Sequence, residues 1–168
     1  MKSRPAAETY LDAVLALWAE RRTRSQCRLT GNSMAPLIRD GDLLVIEHGP
    51  PAVRIGDVIV FRQAGHLKAH RLLWRRRRPE GTLTFLAKGD ASPAFDLPVP
   101  AERLIGRVIE IRGTRGTRRL TSPYWTLAAP AAAALSVLHG ALARGWRARR
   151  GVARRIRALG IVMGGRNR

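Results

Sequence analysis

Five short β-rich segments follow one another between residues 27 and 111 with no helical pattern among them, and this spacing constrains the fold more than any other feature. They cover residues 42–46, 58–61, 67–74, 83–86 and 104–111. Three Gly-Asp pairs, Gly41-Asp42, Gly56-Asp57 and Gly89-Asp90, mark tight turns. Glycine there tolerates positive φ and aspartate bonds the local backbone. Strands this closely spaced imply a mainly β domain, built as a coiled, antiparallel, barrel-like sheet.

Helical patterns flank this region. Residues 7–21 place Leu11, Val14, Leu15 and Trp18 at i, i+3, i+4 and i+7, one face of an amphipathic helix expected to pack on the domain or a neighbour. Glu8, Asp12 and Glu20 interrupt it, so neither a signal peptide nor an amino-terminal anchor is expected. Beyond Arg119, residues 120–143 contain no Asp, Glu, Lys or Arg. That length suffices for a ~30 Å hydrocarbon core. Alanine supplies most of its bulk, and Pro123, Pro130, His139 and Gly140 interrupt it, which favours an interfacial or packed helix over a spanning one. Three regions result: an amino-terminal helix (1–26), a β-rich domain (27–112) and an Ala-rich segment with a helical, Arg-rich tail (113–168).

A formal net charge of +19 on 168 residues admits three readings: nucleic acid, an anionic membrane, or a bias toward arginine. Lysine occurs only at Lys2, Lys68 and Lys88, which supports bias for part of the excess. The block from Arg75 to Arg78 reads as a solvated hairpin tip, because no aromatic residues interleave to stack bases. The tail alternates arginine with Trp146, Val152, Ile156 and Leu159, a pattern suited to an anionic membrane surface. The expected location is therefore membrane-associated, otherwise cytoplasmic, with no specific nucleic-acid partner. The single Cys27 excludes an internal disulfide or a Cys-based zinc site. The histidines are not spaced for a metal, so neither metal nor cofactor is expected.

Chemistry concentrates in four ordered blocks. The first is Gly31-Asn32-Ser33-Met34-Ala35-Pro36, ahead of the Gly41-Asp42 turn. Next come His70-Arg71 inside a strand, then Lys88-Gly89-Asp90 with Asp96 six residues later, and finally Leu104-Ile105-Gly106-Arg107-Val108. The first block resembles the nucleophile box of type I signal peptidases and of the related LexA-type self-cleaving proteins. His70-Arg71 resembles the His-Arg pair of endoplasmic-reticulum and archaeal signal peptidases, where most bacterial enzymes carry lysine. The last two blocks are similar to the Lys-Gly-Asp motif and closing strand of that same type. Together they span about half the chain. Two departures stand out: Gly31 replaces a hydroxyl residue found in many bacterial enzymes, and Ala91 follows Gly-Asp where the reticulum type has asparagine.

The resemblance implies a serine endopeptidase acting through an acyl-enzyme on Ser33, with His70 as general base and Asp96 orienting the imidazole. Asp90, Gly31, Met34, Pro36, Arg71 and Gly89 would support it. A serine hydroxyl needs such a base, and an imidazole, ordinarily near pKa ~6.5, accepts a proton at neutral pH without tuning. Lysine must first be desolvated. Lys68 is the rival base, since side chains alternate and Lys68 shares a strand face with His70. The Ser33 amide is the expected oxyanion donor. The implied substrate is an extended peptide or precursor protein, a signal or leader segment cleaved after small residues, lying along a sheet edge.

Two other functions compete. A LexA-type regulator needs a helix-turn-helix, which 26 residues before the sheet cannot hold, and an Ala-Gly or Cys-Gly cleavage site upstream of Ser33, which is absent. A non-catalytic basic module, binding anionic membrane or nucleic acid on a vestigial peptidase fold, rests on charge alone. It leaves the four ordered blocks without a purpose.

Overall fold

The computed structural model describes residues 13–163, apart from 16, 50–52 and 78, with side chains up to residue 143 and at 145. The expected helix start with Leu11, and the side chains of the Arg-rich tail, lie outside these residues. Helix α1 (residues 13–15 and 17–20) precedes eight strands: β1 (Arg24–Arg28), β2 (Leu43–His48), β3 (Val58–Gln63), β4 (His66–Arg77), β5 (Leu83–Lys88), β6 (Val99–Pro100), β7 (Leu104–Gly113) and β8 (Gly116–Arg119). A long helix α2 (Pro123–Met163) closes the described chain.

All strand pairs are antiparallel, in the order β1-β2-β7-β3-β4-β5-β6. One edge of β7 pairs with β2, while the other pairs with β3 over its first half and with β8 over its second. Register breaks at Val45/Ile46, Val60/Phe61 and Leu72/Trp74 add local twist. The result is the expected mainly β fold, a curled half-barrel.

The core explains why β3 reads as an unbroken apolar run. Val58 and Val60 point into one cluster with Met34, Ile38, Leu44 and Ile111. Ile59 and Phe61 point into another with Leu72, Phe85 and Ala87. A strand covered on both faces has no solvent side to mark with polar residues. A two-residue turn at Ala64-Gly65, both with positive φ, joins β3 to β4. It fixes a register in which Phe61 faces Lys68 and Ile59 faces His70.

One expectation is narrowed. The expected hairpin joins β4 to β5 with Arg75, Arg76 and Arg77 exposed, but its tip is shorter and excludes all three. They continue β4 and pair with Phe85, Thr84 and Leu83 of β5. Backbone pairing outweighs repulsion among solvated like charges, and Arg75 also donates to the Val53 carbonyl. Helix α2 continues as backbone helix into the basic tail, to Met163, in line with the helical tail expected from the sequence.

Helix α2 seats on the sheet through small residues. A Cβ on Gly56 would lie 2.3 Å from the Ala129 backbone, so only glycine allows this approach. Ala133 and Ser136 are buried on the same side, whereas Tyr124, Leu127, Leu138 and Leu142 are exposed. Residues Pro123–Ala143 are long and apolar enough to cross a membrane.

Candidate active site

The loop from β1 to β2 carries Ser33 and is held by its own polar groups. The Gly31 amide donates to Asp40 (2.6 Å), the Asp40 amide to the Asn32 side chain, and the Ile38 amide to the Met34 carbonyl (3.0 Å). Met34 is fully buried in the core, so the residue next to Ser33 anchors the loop by apolar burial. The Ala35-Pro36 peptide bond is cis, and the Pro36 carbonyl accepts a hydrogen bond from Arg115.

Ser33 meets β4 across 37 residues of sequence, with its Oγ 3.0 Å from His70 Nε2. On the far side of the ring, Nδ1 lies 2.5 Å from Asp96 Oδ2. The proton positions follow from valence. An ionised carboxylate only accepts, so Nδ1 carries the hydrogen, and in the neutral ring Nε2 then accepts from the serine hydroxyl. Serine as donor to a base held by a buried carboxylate is the arrangement that general-base activation requires. Phe61 packs edge-on to the imidazole at 6.1 Å between ring centroids, filling its apolar side.

Asp96 owes its place to the backbone, its amide donating to the Ala87 carbonyl of β5 (2.9 Å). Burial pushes its carboxyl up, but the hydrogen bonds and charges of His70 and then Lys68 outweigh this and hold it below the ordinary aspartate range. Lys68 shares the face of His70, yet its Nζ donates to Asp96 Oδ1 (3.2 Å) and Gln63 Oε1 (2.8 Å). In these contacts Lys68 neutralises the carboxylate and leaves the serine hydroxyl to His70.

Lys88-Gly89-Asp90 forms the opposing wall. A Cβ on Gly89 would stand 2.6 Å from the Ser33 carbonyl and 3.1 Å from both His70 Nε2 and Ser33 Cβ. The glycine therefore lets the wall close against Ser33 and His70 together. The Ser33 carbonyl accepts from the Ala91 amide (2.8 Å), which ties the two loops directly. Asp90 does not reach the imidazole. It receives a bidentate pair from Arg71 Nε (2.8 Å) and Nη2 (2.6 Å), while Arg71 Nη1 donates to the Gly56 carbonyl (2.7 Å). Arg71 is 3% exposed, so this pair fixes Asp90 in a buried frame behind the site.

Helix α2 contributes contacts that motif reading missed. The fully buried Lys88 Nζ donates to Ser136 Oγ and to the Gly89 carbonyl, both at 3.0 Å. His139 Nδ1 donates to the Asp90 carbonyl at 3.0 Å. The available signal was helical spacing: Ser136 and His139 stand at i and i+3 and share one face. Among the described residues no group of His, Cys, Asp or Glu is arranged to hold a metal.

A family model described as Peptidase S24-like matches residues 6–109. No curated protein matches the chain.

Proposed function

The chain belongs to the Peptidase S24-like family, and we propose that within it the protein is a serine endopeptidase of signal-peptidase type, cleaving a signal or leader segment after small residues. The observation that carries this reading is the hydrogen-bonded chain from Ser33 through His70 to Asp96, at 3.0 and 2.5 Å. His70 takes the hydroxyl proton as Ser33 Oγ attacks the scissile carbonyl carbon, and returns it to the leaving amine as the C–N bond breaks. Asp96 holds the Nδ1–H tautomer and stabilises the imidazolium. The acyl-enzyme is then hydrolysed by a water that His70 activates in the same way. The Ser33 amide is the expected oxyanion donor.

Membrane contact is part of the proposal. The apolar residues exposed on α2, Leu127 at 81% among them, lead into the basic tail. An apolar stripe followed by arginines suits an anionic bilayer surface.

The test is cleavage of a peptide library with small residues at the third and first positions before the scissile bond, with and without anionic vesicles. Wild type cleaves and Ser33→Ala does not. Equal cleavage by both proteins, or none by either, would refute the assignment.

A further inference from the structure

Beside the nucleophile loop lies a groove of about 540 Å³ that the catalytic chain does not use. One wall is Ala35, Pro36 and Leu37, which follow Ser33 almost directly, and Ala91 continues it. The opposite wall is α2, through Trp125, Ala132 and Leu135. Ala91 is also the residue whose amide holds the Ser33 carbonyl, so groove and nucleophile share a wall.

Three properties define what fits. The volume lies within the range of sites that enclose a small-molecule-sized ligand, far more than an alanine side chain needs. The walls are mainly apolar. Of the charged residues at its margin, Asp90 is committed to Arg71, and Arg115, bonded to the Pro36 carbonyl and with no carboxylate partner among the described residues, adds positive charge at that side. A bulky apolar group gains by burial there, and a basic group is repelled.

We propose that this groove is a substrate subsite for a bulky apolar side chain, such as leucine or phenylalanine, within about three residues of the scissile bond. Distance supports a peptide occupant. Ala35 is two residues from Ser33, and successive Cα atoms are at most ~3.8 Å apart, so the near wall starts within about 8 Å of the nucleophile. An extended substrate advances ~3.3 Å per residue and covers that span in two or three positions. Ser33 and His70 do not line the groove, but its near wall lies within substrate reach of them. Helix α2 thereby becomes a specificity element, with Trp125 and Ala132 setting the width. The inference rests on the peptidase reading of Ser33.

The experiment is a position-scanned library carrying Ala, Leu, Phe or Lys at each of three positions on either side of the cleaved bond. It is run on the full chain as wild type, Ala132→Trp and Trp125→Ala, with and without vesicles. At one position wild type favours Leu or Phe over Ala by about ten-fold or more in kcat/KM, the scale of apolar-pocket discrimination, and rejects Lys. Ala132→Trp fills the groove and removes that preference, while cleavage of the all-alanine peptide stays within about two-fold. Trp125→Ala widens it and moves the optimum toward the larger ring. Opposite movements at a single position cannot come from a general loss of folding. Wild-type profiles in both variants, or losses spread equally over all positions, overturn the subsite. Changes seen only in the dependence on vesicles also overturn it, by assigning the groove to a lipid chain. Absence of Ser33-dependent cleavage in wild type overturns the peptidase reading, and the subsite falls with it. Intact Ser33-dependent cleavage with unchanged profiles overturns the subsite alone.

Discussion

Gly89→Ala tests the active-site geometry most sharply, because it adds a single methyl group at the closest approach in the site. The new Cβ would stand 2.6 Å from the Ser33 carbonyl oxygen, whereas ordinary contact starts at 3.4 Å. The two loops must therefore separate by about 0.8 Å. They are tied together by the Ala91 amide on that same carbonyl, so Ser33 moves as backbone and not as a side chain free to turn aside. A shift of this size along the Oγ–Nε2 direction would lengthen the 3.0 Å contact beyond hydrogen-bonding range. A misplacement near 1 Å costs roughly 100-fold in rate, so kcat should fall by about two orders of magnitude. Stability should move much less. Overpacking costs about 1–3 kcal/mol, offset in part by ~0.4–1 kcal/mol from the stiffer unfolded chain, since Gly89 does not use positive φ. The assay is steady-state cleavage of one small-residue peptide by wild type and Gly89→Ala, with thermal unfolding of each. If the alanine variant is folded and cleaves at the wild-type kcat, the close approach of the Gly89 wall has no part in positioning Ser33, and this account of the motif is wrong.

The base is separable by substitution: His70→Ala should lower kcat about 10²–10⁴-fold, whereas Lys68→Ala, which only loses a partner of Asp96, should cost less than about ten-fold. The reverse order in peptide cleavage would make Lys68 the base. Asp90→Asn leaves the buried Arg71 charge without its carboxylate. Breaking a buried pair costs about 3–5 kcal/mol, so Tm should fall by roughly 6–20 °C in calorimetry, and an unchanged Tm would show that Arg71 needs no anion. Asp96 carries the pH dependence. Its folded pKa is depressed below the ordinary 3.8, so its contribution to stability is full above that value and is lost as pH falls through the lower folded value. Denaturant unfolding of wild type against Asp96→Asn should show an advantage at pH 7 that shrinks below pH 4, and an advantage that grows in acid would contradict the sign.

Patterns within a few residues of each other were readable from the chain itself. Gly-Asp turns and short apolar runs depend on backbone preferences and side-chain period, and they specified a mainly β, curled antiparallel fold. The ordered blocks named Ser33, His70 and Asp96 as candidates, and strand alternation put Lys68 and His70 on one face. Other decisions rested on interactions between distant segments. Only three-dimensional distances show that His70 faces Ser33 while Lys68 turns to Asp96 and Gln63, or that Asp90 serves Arg71 and not the imidazole. The arginines at 75–77 suggest a turn when read locally, but β5 supplies a partner strand and the ladder continues. Helix α2 is the clearest case. Its composition favoured an interfacial or packed helix without saying against what it packs: Lys88 donates to Ser136, His139 donates to the Asp90 carbonyl, and Gly56 makes room for Ala129. Those contacts join residues about fifty or more apart in the chain, and no local period encodes a pairing that exists only once the sheet has curled.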